Sequence, residues 1–169
     1  CSKGKWSSTS GITSAAECKD CTIGKFSDKN EGLASDAECS LCPKGTWSDQ
    51  TGLNSSSDCE LCTPGKYSIA RGITSDFLCS NFCPAGTYSN EAGLISSTEC
   101  KDCNVIGHFC PEGSTNENTN QCPKGTYADD VGLGACKVCP EGFYQSKLAQ
   151  TDCIACEKGK FLSDKNSPI

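Results

Sequence analysis

Cysteine dominates the side chains that could do chemistry, with seventeen in 169 residues. Most stand in CxxC pairs, and such a pair can hold a metal, exchange electrons or close two separate disulfides. Cys18, Cys21, Cys39 and Cys42 read as CxxC, seventeen intervening residues, CxxC, a spacing that by itself matches a four-cysteine zinc site. Each CxxC, however, bears the same relation to the next one along the chain, whereas zinc ribbons use their knuckles in separate sets of four. Redox catalysis needs thiolates at an electropositive helix start near a βαβ pattern, and the sequence has no such pattern. His108 is the single histidine, with no serine nucleophile motif, paired cysteine context or HExxH around it. It falls one place late for the aromatic slot of its repeat, which points to packing. Asp129 and Asp130 lack the oxygen-ligand spacing of a calcium loop and read as a solvated turn. The expectation is a chain that is not an enzyme, with no catalytic residue, cofactor or metal.

The remaining composition says what must hold these cysteines in place. About a tenth of the chain is cysteine, which is the signature of a disulfide scaffold and of an oxidising compartment. Aliphatic and aromatic residues are scattered singly, so there is little apolar area to offset chain entropy and no run long enough for a buried helix or a membrane span. The net charge of -6 is spread over acidic and basic residues in nearly every segment, leaving no basic stripe to follow a phosphate backbone. Nucleic acid and membrane insertion are therefore not expected. With no Met and no signal-peptide core, the chain reads as processed or as a piece of a longer protein.

The chain divides into repeats opening at Cys1, Cys21, Cys42, Cys62, Cys83, Cys103, Cys122, Cys139 and Cys156. Residues 1–102 make five regular repeats, 103–121 an irregular one, 122–155 two shorter ones, and 156–169 a truncated ninth. The regular repeats read CxxG[KT][WFY]S, a polar stretch, G[IL]xSxxxC and a short link, as in CSKGKWSSTSGITSAAEC. Glycine three residues after the opening cysteine, often beside proline (Pro43, Pro64, Pro84, Pro123, Pro140), predicts a tight turn. The aromatics Trp6, Phe26, Trp47, Tyr67, Tyr88, Tyr127 and Phe161 are expected to pack on a disulfide of their own or the adjacent repeat. Gly plus Ile or Leu in the second half (Gly11 and Ile12 through Gly132 and Leu133) predicts a reversal followed by one inward apolar residue. Ser14 to Glu17, Ser35 to Glu38 and Ser96 to Glu99 read as capping boxes on a single helical turn; Ser55 to Asp58 is a weaker version, and Ser75 to Leu78 keeps the cap without the acid.

The simplest connectivity closes each repeat on itself: Cys1–Cys18, Cys21–Cys39, Cys42–Cys59, Cys62–Cys79, Cys83–Cys100, Cys122–Cys136 and Cys139–Cys153. Cys103 and Cys110 are then left for each other, and Cys156 is unpaired because its repeat stops before a closing cysteine. Crossed closure, with Cys18 to Cys39 and Cys21 to Cys42, satisfies the same count. Asn54, Ser55, Ser56 form a sequon in an expected exposed turn, making Asn54 a candidate glycan site.

The CPKGTWS, CPAGTYS and CPKGTYA openings resemble the ephrin-receptor-like cysteine-rich repeats of large extracellular proteins and, more distantly, the first submodule of tumour necrosis factor receptor repeats. The stretch from Cys103 to Cys122 resembles the CPEGST variant of such arrays. The resemblance implies an extracellular or cell-surface location, and receptors, adhesins and filament proteins all use the repeat. The expected architecture is small and disulfide-rich, an elongated tandem array of short β-hairpin units with little regular secondary structure, each unit touching only its neighbours. The expected function is a non-catalytic structural or adhesive stalk segment of an extracellular filament, surface coat or cell-surface protein. Its expected partners are further copies of itself or neighbouring subunits, with possible glycans. The alternative is a ligand-binding receptor ectodomain.

Overall fold

In the computed structural model, residues 1–30, 32–118 and 120–159 are described, together with the backbone of 162–164 and 167–168. Phe161, an expected packing aromatic, lies outside the described residues. The fold is a small disulfide-rich tandem array of hairpins with no α-helix among the described residues. Repeats 1–5, 7 and 8 begin the same way for a local reason. The opening cysteine leads into a turn closed by a backbone bond two residues wide, as in Lys5 N–H to Ser2 C=O at 3.2 Å and Lys25 N–H to Thr22 C=O at 3.2 Å. The turn sets Gly4 at φ 75°, a region L side chains rarely adopt.

The two residues after the turn pair antiparallel with the two residues inside the next CxxC. The ladders are Lys5–Trp6 with Lys19–Asp20, Lys25–Phe26 with Ser40–Leu41, Thr46–Trp47 with Glu60–Leu61, Thr87–Tyr88 with Lys101–Asp102, Thr126–Tyr127 with Lys137–Val138, and Phe143–Tyr144 with Ile154–Ala155. A last pair joins Leu162–Asp164 to Ser167–Pro168. The CxxC is thus the return strand of a hairpin. In the regular repeats a 3-10 turn precedes it, at Ala15–Glu17, Asp36–Glu38, Ser56–Asp58, Asp76–Leu78 and Ser97–Glu99. The caps differ from the sequence pattern. Ser14 and Ser55 make complete capping boxes, with Glu17 and Asp58 accepting from the serine N–H at 3.1 and 3.0 Å. The aspartate box is therefore no weaker than the glutamate one. Ser35 and Ser75 make no side-chain cap bond.

The chain folds as two compact parts, Cys1–Asn81 with Glu91–Ser96, and Phe82–Asn90 with Ser97–Ile169. In the first, the aromatic of each repeat bridges the apolar residue of the next in parallel: Trp6 to Leu33, Phe26 to Leu53, Trp47 to Ile73 and Tyr67 to Leu94. Trp6 packs on Leu33 and the Cys21–Cys39 disulfide, and Phe26 on Leu53 and the Cys42–Cys59 disulfide, so the aromatics lie on the neighbouring repeat's disulfide. Sulfur and single leucines are the core, each buried Leu contributing about 2 kcal/mol of transfer free energy.

One expectation is corrected. The repeats do not touch only their immediate neighbours, because the opening turn reaches over the following repeat to the one beyond. A Cβ on Gly4, Gly24 or Gly45 would lie under 3.0 Å from the carbonyl oxygens of Gly52, Gly72 and Gly93, respectively. In the second part the same relation holds between Gly86 and Gly132 and between Gly107 and Ala149. A repeat of about twenty residues is so short that its hairpin is thinner than the reach of its turn, and backbone meets backbone across it. Ala149 fills a place where the other repeats have glycine, and it does so at φ 56°. Ala149→Gly is accordingly expected to stabilise the chain by up to about 1 kcal/mol, read as a rise in urea midpoint at unchanged slope.

Candidate functional site

The structure joins Cys1 to Cys18, Cys21 to Cys39, Cys42 to Cys59, Cys62 to Cys79, Cys83 to Cys100, Cys103 to Cys110, Cys122 to Cys136 and Cys139 to Cys153. Cys156 is a half-buried free thiol. Consecutive CxxC motifs divide their cysteines between two loops. No cluster of three or more metal-ligating side chains occurs among the described residues, nor any helix long and apolar enough to cross a membrane. What the molecule repeats is a joint, and the joint is made of backbone.

Ser27, Ser48 and Ser68, each the residue after its repeat's aromatic, tie three successive repeats together. Ser27 accepts from Gly4 N–H at 2.9 Å and donates its own N–H to Leu53 C=O at 3.0 Å; Ser48 does the same with Gly24 and Ile73, and Ser68 with Gly45 and Leu94. These serines are almost fully buried. Their hydroxyls accept from the N–H two residues on, with Ser48 Oγ to Gln50 N–H at 3.0 Å and Ser68 Oγ to Ala70 N–H at 3.2 Å. A small side chain with an acceptor suits a site where the backbone is already committed on both sides. In the second part Ala128 takes this place, accepting from Gly107 and donating to Gln150. Gln145 takes it in the next repeat, where its Oε1 accepts from Lys147 N–H at 3.0 Å. The sequence carried the signal, because serine follows the aromatic in all of repeats 1–5, but the pattern gave it no role.

The irregular repeat keeps this joint with a different disulfide. Cys110 stands in the serine place, accepting from Gly86 N–H at 2.8 Å and donating its N–H to Leu133 at 2.9 Å. Phe109, not His108, holds the aromatic position, its N–H bonded to Asn120 C=O. His108 precedes it on the same strand, opposite Gln121 of the facing one, its Nδ1 3.2 Å from Ile106 C=O. CPEGST supplies the second half of the same repeat: Gly113 N–H bonds Cys83 C=O, and Ser114 bridges Tyr88, the roles of glycine and leucine elsewhere. Tyr144, absent from the expected aromatics, fills that slot in the eighth repeat, where it pairs with Ile154.

The charged side chains serve the repeats they belong to. Asp36 accepts from Thr22 N–H at 2.8 Å, from Thr22 Oγ1 at 2.9 Å and from Lys25. Asp76 does the same with Thr63 and with Lys66 at 2.6 Å. Burial alone would raise these carboxyls, but the hydrogen bonds from lysine and threonine outweigh it and hold both below the ordinary value of 3.8. In repeats 3, 5 and 7 a Pro and a Thr replace the set, the Thr hydroxyl bonding the Pro carbonyl (Thr46 to Pro43, 2.9 Å; Thr87 to Pro84, 2.7 Å; Thr126 to Pro123, 2.7 Å). Asp129 pairs with Lys137 at 2.6 Å, which lowers the carboxyl and raises the ammonium. Asn54 is exposed, with its N–H on Asp58 at 3.0 Å.

The acid behaviour follows from Asp36 and Asp76. Because their folded values are depressed, they contribute stability that is whole above the unfolded value of 3.8 and is lost as pH falls through the folded one. A double Asp36→Asn, Asp76→Asn variant is expected to be about 1–2 kcal/mol less stable than the parent at pH 7, and to converge with it once pH has fallen below the depressed folded values. Urea melts across pH 2–7 check this, and parallel curves would refute it.

Residues 125–167 match the family described as Tyrosine-protein kinase ephrin type A/B receptor-like. No curated protein matches the chain. That match covers residues 125–167 alone; repeats of this description are a non-catalytic domain type, and together with the chain's disulfides they are of a kind that suggests an extracellular domain.

Proposed function

We propose that the chain is a structural or adhesive stalk segment of an extracellular filament, surface coat or cell-surface protein, held to further copies or neighbouring subunits. The observation that carries this reading is the backbone joint. A repeat whose contacts to the next two are made through main-chain N–H and C=O groups tolerates almost any surface side chain, so it can be strung in numbers while its outer face varies. Immunogold labelling of the parent material tests it. Contiguous labelling along a surface structure is expected, and recovery of the chain only as a freely diffusing secreted protein would overturn it.

The ligand-binding alternative draws on one feature. Phe77 is 87 % exposed beside the exposed Leu78 on the short helix of repeat 4, where the other repeats carry Ala, Ser or Thr. If that reading holds instead, fluorescently labelled chain binds a target cell surface, and Phe77→Asp abolishes the binding.

Asn54 is the proposed glycan site. Expression in a secretory host should give a mass that peptide N-glycosidase lowers by one glycan, with Asn54→Gln migrating at the deglycosylated position; an unchanged mass would remove the assignment.

A further inference from the structure

Trp6 and Trp47 hold the same place in repeats 1 and 3 and are pinned in the same way. Each lies on the first strand of its hairpin, and each indole N–H donates across to the facing strand, Trp6 Nε1 to Asp20 C=O at 3.2 Å and Trp47 Nε1 to Leu61 C=O at 3.3 Å. Asp20 and Leu61 are equivalent, each being the residue before the second cysteine of its CxxC. Both tryptophans are also bridged to the following repeat, Trp6 to Leu33 and Trp47 to Ile73. The two rings are therefore set by equivalent bonds.

What stands across the ladder differs. Residues directly opposite in an antiparallel pair share one face of the hairpin, with Cβ atoms about 5 Å apart. Opposite Trp6 is Lys19, whose Nζ lies over the ring at 5.2 Å from its centroid, while on the other face Lys5 pairs with Asp20 at 2.6 Å. Repeat 1 thus supplies its own cations. Opposite Trp47 is Glu60. Lysine faces Tyr88 and Tyr127, serine faces Phe26, and Glu60 is the one carboxylate in the described ladders to face the aromatic of a repeat. The place of Lys5 is taken by Thr46, whose hydroxyl is spent on Pro43 C=O. The face of an indole is electron-rich, so a neighbouring carboxylate does not cover it and deepens its negative potential. Among the described residues no cation lies over Trp47, and the exposed Glu60 side chain has no hydrogen-bond or ion-pair partner.

We propose that Trp47 and Glu60 form a receiving site for a lysine or arginine side chain of a partner protein. The incoming cation takes the position over the ring that Lys19 holds over Trp6, and it pairs with the Glu60 carboxylate. Two things on the molecule name the occupant: the same ring in the same hold carries an ammonium group where the chain provides one, and at Trp47 the added charge is of the complementary sign. The proposal deepens the reading above by giving the chemistry of the neighbouring subunit, and it rests on that reading for the partner being one.

The two indole N–H resonances of the whole, ¹⁵N-labelled chain report on both rings in one sample, and loss of one of them in Trp47→Phe assigns the pair. Titration with Nα-acetyl-lysine amide is expected to move the Trp47 resonance saturably, with a midpoint in the millimolar range, and to leave Trp6, already covered, in place. The same probe acetylated on Nε is expected to move neither. Glu60→Gln should weaken the response at least about threefold, and Glu60→Lys should abolish it by installing an internal cation in the manner of Lys19. Glu60 is exposed and makes no side-chain bond, so the fold withstands both changes. A Trp47 resonance that does not saturate, an equal response to the Nε-acetylated probe, equal movement of Trp6, or a response untouched by Glu60→Lys would each overturn the proposal. If the probe behaves as expected while labelling of the parent material finds only a freely diffusing protein, the stalk reading falls and the cation site stands; if labelling marks a surface structure and the probe fails, the site alone falls.

Discussion

Complete reduction with a phosphine at neutral pH is expected to unfold the chain outright, with loss of its circular dichroism and of its resistance to protease. Ten cysteines are buried, and in the first two joints the aromatic and the leucine pack directly on the bridging sulfurs. Seven of the eight loops have sequence separations of 14 to 18, and a loop of that size stabilises by about 3 kcal/mol in the chain-entropy model. With only single leucines beside them, no apolar core remains to hold the fold once they open. One pair is enough for a graded test. Replacing Cys42 and Cys59 together by alanine should cost at least about 3 kcal/mol, since it also strips the surface under Phe26 and Leu53. A reduced chain that kept its native spectrum would show that hydrogen bonds alone carry the structure.

The second large effect sits at the opening turns. Gly45→Ala is expected to cost about 3 kcal/mol or more, whereas Gly11→Ala should cost only about 1 kcal/mol. Both glycines have positive φ, 72° and 70°, so the backbone penalty is shared. They differ in what a methyl group would meet. At Gly11 there is open space, and at Gly45 there is the main-chain carbonyl of Gly93, which belongs to a hydrogen-bonded turn and cannot step aside. Urea midpoints of the two variants decide the matter. Equal losses would mean that the repeats two apart do not bear on each other in solution.

That contrast also marks where the sequence stops being informative. The repeat boundaries, the turn at CxxG, the aromatic and the inward leucine are all written in residue types at fixed offsets, because each depends on a local backbone conformation or on one apolar contact. Which repeat a given turn glycine faces is written nowhere. Gly4 needs glycine equally well whether its neighbour is Ser27 or Gly52, and a periodic sequence looks the same at one period and at two. The serine place was visible as a constant letter, but its role arises from two backbone bonds, which any residue type can make. Cys110 shows this most clearly: its type announces a disulfide, while its position is that of the serine. The Thr22, Lys25 and Asp36 set lay hidden because its members stand 3 and 11 residues apart in a polar stretch that has no helical or strand period to align them.

The order of the bridges governs how the chain would answer a pull on its ends. Each disulfide closes before the next begins, so tension passes through sulfur and bypasses the peptide inside every loop. A loop of seventeen residues withholds about 55–60 Å of contour that no stretching force can release while its bond is intact. Only the short links between loops remain in line, apart from the run between Cys110 and Cys122, where the irregular repeat has moved its bridge to the front and left its second half outside. Between Cys1 and Cys153 the covalent path therefore carries one built-in length of slack, on the order of 40 Å when drawn straight.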